Sequence, residues 1–400
     1  MSDVAPICPV VSRPVQGPDS GADARSVFDV DNVLCTLVAL GGSDLHLKIP
    51  LPPLTRVDGE LKPIEGADAL TSEDTEQAVR TMLTDDVKLN ELATEHEVDF
   101  SYSIQGVARF RVNAFQQRGS LSLVCRAIPH SIRSVSELML PPVISELADE
   151  ERGIILLTGT TGSGKSTTLA AMIDHINETY AKHIVTIEDP IEFLHRDKKS
   201  AINQREVGND TLSFKRALRR VLRQDPDVIL VGEMRDEETV HTALSAAETG
   251  HLVLSTVHTV DAAETVNRII DFFPPHMHLQ VRAMLAGTLK GVVSQRLVPS
   301  TDGGRIATCE VLRMTGRVRD MIMDPQQTGR LTEVISEGAY YGMRTFDQAL
   351  FDHVTAGRVD IDNALRVATS PHDFKLLLAA DGRRGTTMAD VASAEAKRAA

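Results

Sequence analysis

Residues 153–158, Gly-Ile-Ile-Leu-Leu-Thr, form a short apolar run that breaks into Gly159-Thr160-Thr161-Gly162-Ser163-Gly164-Lys165-Ser166. Beyond the break Leu169, Met172, Ile173 and Ile176 recur at helical spacing. A buried strand, a glycine-rich turn and a helix in that order match the phosphate-binding pattern G-x-x-x-x-G-K-[ST]. Glycines let backbone amides turn inward around an oxyanion, and a helix N-terminus adds partial positive charge. Lys165 can reach β- and γ-phosphates, and the Ser166 hydroxyl can hold Mg²⁺. Gly159, Thr160, Thr161, Gly162, Ser163, Gly164, Lys165, Ser166 and Thr167 are therefore the candidate residues for a nucleotide such as ATP.

The surroundings repeat the strand-then-helix rhythm. "HIVTIED", "DVILVGE" and "HLVLSTVH" are further apolar strands separated by helical patterns, which predicts an α/β domain with a largely parallel sheet. The apolar strand in "DVILVGEMRD" leads to Glu233, at the place where an acidic residue of a P-loop protein supports Mg²⁺ and its waters. "TIEDPIEF" holds Glu188, Asp189 and Glu192 just past another strand, and a carboxylate there can activate water. Spacing does not choose between Glu188 and Glu192. His251 precedes one strand and His258 follows it. Their spacing is not that of one helix face, which argues against a metal pair. One of them can instead sense the terminal phosphate.

Ahead of this block lies a different pattern. Val30, Val33, Leu34, Leu37 and Val38 share one helical face, "SDLHL" alternates like a half-buried strand, and "PPLTRVDGELKPI" reads as a hairpin turning at Asp58-Gly59. A helix over 73–83 and strands "DFSYSI" and "ARFRVNAFQQ" follow, making a small α+β domain. Arg109, Arg111 and Arg126 lie on or near its strands, where they can act as arginine fingers on a separate nucleotide loop. We expect a disordered leader over 1–27, this domain over 28–128, a Pro-bearing linker over 129–142, the nucleotide domain over 143–380 and a tail over 381–400.

Composition excludes several function classes. The 400 residues carry 42 Lys plus Arg against 56 Asp plus Glu, a net charge of −14, which disfavours general binding to nucleic acid. The four cysteines contain no C-x-x-C pair, so neither a zinc ribbon nor a disulfide framework is expected. No apolar run approaches the roughly 18 residues of a membrane span, and no signal peptide is evident. These features predict a cytoplasmic protein without direct membrane insertion. Arg216, Arg219, Arg220 and Arg223 lie on one helical face, which reads as a solvated or subunit-facing side.

Taken in order, "GTTGSGKSTTLAAMIDHIN", "HIVTIEDPIEF", "NQREVG", "ALRRVLRQDPDVILVGEMRD", "TALSAAETGHLVLSTVHT" and "RIIDFFP" strongly resemble the type II/IV secretion ATPase superfamily. The match runs over about residues 28–375 and is closest to the type IV pilus retraction motors. The absence of paired C-x-x-C motifs and of a longer N-terminal region agrees with that branch. The resemblance implies a RecA-like P-loop core, a smaller PAS-like N-terminal domain hinged to it, and a homohexameric ring that hydrolyses ATP with Mg²⁺. It implies that Lys165 and Glu233 are the Walker residues and that Glu192 is the catalytic glutamate. His251 and His258 would form the His box, with Arg109, Arg111 and Arg126 reaching a neighbour's nucleotide. It also implies an inner-membrane platform protein as partner and a peripheral place at the cytoplasmic face of the membrane. Thr160 stands where proline is frequent. "GRVRDMIMD" (316–324) replaces a segment usually close to "AIRNLIRE", keeping Arg319 and Ile322.

Overall fold

A computed structural model describes residues 28–57, 59–128 and 131–380. The expected leader over 1–27 and tail over 381–400 lie outside the described residues. The chain divides into two compact units, with Ile128 the last described residue of the first and Ser131 the first of the second.

In the first unit Asp29 caps helix α1 (Val30–Ala39), which buries Val30, Leu34 and Leu37 as its apolar face requires. Strands β1 (Asp44–Leu47), β2 (Leu54–Val57) and β3 (Glu60–Pro63) follow, the last two paired as a hairpin with Val57 opposite Glu60. A Thr71–Asp74 capping box opens α2 (Ser72–Met82). Helix α3 (Asp86–Glu95) was not anticipated: it buries Leu92 alone, so its sequence shows little period. Long strands β4 (Glu97–Ile104), β5 (Ala108–Gln117) and β6 (Ser120–Ile128) complete the unit. Among the described residues the sheet has six strands in the order β3-β2-β1-β6-β5-β4, with its neighbours antiparallel. Leu45, Leu47, Phe110, Val112, Leu123 and Cys125 pack with the helices as one core. The alternate residues of β5 and β6 therefore stand on the other face.

The second unit begins inside the expected linker. Val135 and Leu140 pack into its core, so much of the stretch 131–142 belongs to this unit. Its elements are α4 (Val143–Ala148), β7 (Gly153–Thr158), α5 (Lys165–Thr179), β8 (His183–Glu188), β9 (Ala201–Glu206), α6 (Phe214–Val221), β10 (Val228–Val231), α7 (Glu237–Glu248), β11 (Leu252–Val257) and α8 (Ala262–Asp271). Then come α9 (His278–Thr288), β12 (Leu289–Pro299), β13 (Arg305–Arg313), α10 (Gly316–Met323), α11 (Leu331–Glu337), α12 (Phe346–Thr355), α13 (Ile361–Val367) and α14 (Pro371–Ala380).

The described sheet has seven strands in the order β13-β12-β7-β11-β10-β8-β9. All pairs are parallel except β12 with β13. Separate apolar clusters cover the two faces, one led by α7, α8 and α9, the other by α4 and α5. Burial on both faces explains why these strands read as continuous apolar runs. The strand that follows β7 in the chain, β8, lies three places to one side, while β12 lies on the other. The C-terminal end of β7 is thus a topological switch point, where open α/β sheets bind ligands.

Candidate active site

The turn from β7 into α5 sits at that switch point. Gly159 has φ +139°, and a Cβ there would lie 2.4 Å from the Gln295 carbonyl oxygen. Gly164 has φ +92° and a Cβ would meet the Gln295 amide nitrogen at 2.7 Å. Gly159 requires glycine on backbone and on space, and Gly164 on backbone. Gln295, on β12, is itself buried, and the Thr168 hydroxyl on α5 donates to its Oε1 at 2.8 Å. Thr158 donates to Ser294 at 2.9 Å one residue before the turn. The loop is clamped from below by β12, a positioning role that sequence reasoning missed. A polar Gln inside "VVSQRLV" was the available signal. Gly159→Ala should destabilise the protein by about 2–3 kcal/mol in denaturant titrations and abolish nucleotide binding.

Lys165 is 9% exposed, and its Nζ donates to the carbonyls of Gly159 (2.7 Å) and Thr160 (3.1 Å). Burial lowers its pKa, while Glu233 and Glu192 pull it back up, so both carboxylates act on this ammonium. The Ser163 hydroxyl is buried and has no hydrogen-bond partner. An orphaned donor in a turn of inward glycines is suited to an anion that would satisfy it.

Four sequence-nominated groups gather along this edge because each follows the C-terminal end of a parallel strand. Glu233 follows β10, His258 follows β11, and Glu188 ends β8 with Glu192 beyond it. Glu233 accepts from Arg235 at 2.7 Å and faces His258 Nε2 at 3.2 Å. Burial raises its pKa, but Arg235 and His258 outweigh that and hold the carboxyl below its usual range. A cavity of about 240 Å³ lies beside it, with Arg235, His258, Arg268 and Phe272 in its wall.

The two candidate water-activating glutamates differ in surroundings. Burial raises the Glu188 pKa, and its carboxylate is already held by Thr186 (2.6 Å), Gln204 (3.1 Å) and the Glu192 amide. Glu192 is exposed on the same edge. His251 is placed apart from the others. It precedes β11, its carbonyl accepts from Gly153 at the start of β7, and its ring bonds Ala246 and Thr249. That is the opposite edge of the sheet from the phosphate loop, because six strand residues separate it from His258.

The arginines of the first unit form a pattern of their own. Arg111 and Arg126 are direct cross-strand partners, and Arg109 lies two residues along the same face. Like charges directly opposite are unfavourable unless an anion joins them. Arg126 Nε bonds the buried Asp44 at 2.8 Å while most of its side chain stays exposed, and Arg111 meets Asp99 only at 4.0 Å. Elsewhere, α6 buries Ala217, Leu218 and Val221 and exposes its arginines, with Lys215 and Arg219 paired to Glu238. No group of three His, Cys, Asp or Glu able to hold a metal exists among the described residues, and no described helix is long and apolar enough to cross a membrane.

A family model described as type II/IV secretion system protein matches residues 29–366. The chain is 44% identical over 347 residues to the type IV pilus retractation ATPase PilT of Pseudomonas aeruginosa, covering 87% of this chain and all of that protein. It is 47% identical over 317 residues to a twitching motility protein of Neisseria gonorrhoeae, covering 79% of this chain and 84% of the other. The crystal structure of the pilus retraction motor PilT with bound ADP superposes with a TM-score of 0.80 at 41% identity, over 86% of this chain and 98% of that one. On the family match, the two-sheet α/β fold and the loop-and-carboxylate edge together, this chain belongs to the type II/IV secretion system protein family.

Proposed function

We propose that the protein is an ATP-hydrolysing motor that powers type IV pilus retraction. The observation that supports this most is the convergence of Lys165, Glu233, Glu192 and His258 on the edge where the β7–α5 turn presents its amides, in a chain that matches retraction motors over most of its length. The turn amides and Lys165 bind the phosphates. On binding, Lys165 exchanges the Gly159 and Thr160 carbonyls for phosphate oxygens. Glu192 orients and deprotonates the attacking water, and His258 reports the terminal phosphate to Glu233. Arg111 and Arg126, with Arg109 beside them, stabilise the transferring phosphoryl from a neighbouring copy. Their place side by side on the outer face of the sheet, with the side chains of Arg111 and Arg126 half or more exposed, supports that role.

Ser166 at the first turn of α5 and Glu233 would hold Mg²⁺. One hydroxyl and one ionised carboxylate suit an ion that keeps waters and takes substrate phosphates. When bound, Mg²⁺ neutralises charge developing on the phosphates.

In this reading the chain works as a homohexameric ring at the cytoplasmic face of the membrane, docked on an inner-membrane platform protein. Contacts that ATP makes in the closed arrangement and not in the open one supply the work. The moving parts are the first unit, 28–128, and the second, which takes up the expected 143–380 together with much of 131–142. Deleting the gene tests the direction of force. Surface filaments that persist without retracting in live imaging are the expected result. Bald cells would show an assembly or secretion ATPase instead.

A further inference from the structure

Glu310 lies on β13, outside every motif discussed above, and is 4% exposed. It pairs across the sheet with Ser294, which pairs in turn with Thr158, the last strand residue before the phosphate loop. Its Oε1 accepts the Ala262 amide at 2.9 Å, the first residue of α8. The turn that carries His258 into that helix is otherwise closed on itself. Thr259 bonds Thr265, the Val260 amide bonds Glu264, and Asp261 caps the Glu264 amide. For Thr259–Ala262, among the hydrogen bonds of the described residues, Glu310 supplies the side-chain anchor from outside this turn and its helix.

We infer that Glu310 is a positioning residue for the phosphate-sensing turn: as a carboxylate it fixes the N-terminus of α8, and through it the geometry in which His258 faces Glu233. This rests on the reading of His258 given above. A neutral cap would serve stability alone, because burying a charge is costly. The groups facing Glu310 are Asp261 at the N-cap of α8, Arg296 on β12 and Asp347 on α12. Arg296 is itself engaged elsewhere, stacked on Phe346 and donating to the Val367 carbonyl. Burial pushes the Glu310 pKa up to about 7. The Ala262 amide and Arg296 oppose that, while Asp261 and Asp347 add to it. A carboxyl raised to about 7 changes its charge near neutral pH, and the charged form is the stronger acceptor for a helix-terminal amide.

The sign for stability is opposite to that for activity. A carboxyl whose folded pKa is raised stabilises the fold fully below the ordinary carboxylate range, and that contribution is lost as pH climbs to about 7. Glu310→Gln removes the buried charge and keeps the shape. In the intact full-chain enzyme we expect wild-type kcat to rise from pH 6 to pH 8 with a step near 7. Glu310→Gln should lack that step, with kcat at pH 8 about fivefold to tenfold below wild type and KM for ATP within about twofold. Its melting temperature at pH 8 should equal or exceed wild type, which a purely structural cap would not give.

Wild-type kcat at pH 8, or the same pH step, in Glu310→Gln would overturn the inference. Should that variant fail to fold, hydrogen exchange of the wild type decides. After correction for intrinsic rates, protection across 259–265 should fall from pH 8 to pH 6 while 165–176 holds, and unchanged protection across 259–265 overturns it. His258→Ala separates the two layers. If it turns over like wild type, the reading of the site fails and takes this inference with it. If it is inactive while Glu310→Gln is normal, the inference alone fails.

Discussion

Lys165→Ala is expected to lower ATP turnover by at least about a hundredfold to a thousandfold, the range for deleting one preorganised donor to a transition-state oxyanion. The ammonium is buried and tied to two loop carbonyls, Gly159 and Thr160, rather than to a carboxylate. Truncation therefore frees carbonyls but strands no buried ion, and the melting temperature of the nucleotide-free protein should move little. The effect appears when ligand is added. A ligand at a hundred times its Kd stabilises by about 2.7 kcal/mol, so MgATP should raise the wild-type melting temperature and leave the variant's unchanged. Phosphate release at the wild-type rate from purified Lys165→Ala would refute the assignment.

Arg111→Ala is expected to lose turnover by a comparable factor, since fingers supplied from a neighbour contribute about 10³ to 10⁵ in kcat, while nucleotide affinity stays near wild type. Its side chain meets Asp99 only at 4.0 Å, so little local structure depends on it. Glu192→Ala should be equally inactive for a different reason, having no group to activate water. Mixing the two inactive proteins should restore activity, because about one interface in four then joins an intact arginine to an intact glutamate. A mixed preparation as silent as its components would place both residues within one subunit's site or outside catalysis. Arg126 should resemble Arg111 in this assay, with a cost in stability besides, because removing it leaves the buried Asp44 carboxylate short of its partner.

What could be read from the sequence was what local spacing encodes. The phosphate loop follows from glycine positions, the Glu233 strand from a continuous apolar run and α1 from a period of 3.6 residues, and each is a contiguous pattern. The same arithmetic separates His251 from His258, since a strand of six residues places them at opposite sheet edges. The choice between Glu188 and Glu192 was not local. It depends on Thr186 and on Gln204, which β9 brings alongside β8. The roles of Gln295 and Glu310 were not local either, though a polar Gln inside an apolar run hinted at the first. β12 and β13 are buried on both faces, so their polar residues interrupt no alternation, and a long crossover brings β12 beside β7 with β13 outside it. Within the expected linker over 129–142, Val135 and Leu140 bury apolar surface on the second unit, a packing that the prolines of that stretch do not reveal.

A structure of Glu192→Gln rings trapped with ATP and Mg²⁺ tests the central claim most directly. The account predicts the β- and γ-phosphates against the amides of 162–166 with Lys165 Nζ on them, and Arg111 of an adjacent copy within hydrogen-bond reach of the γ-phosphate. A triphosphate lodged away from this turn, or a complete γ-phosphate shell built from one copy alone, would contradict it.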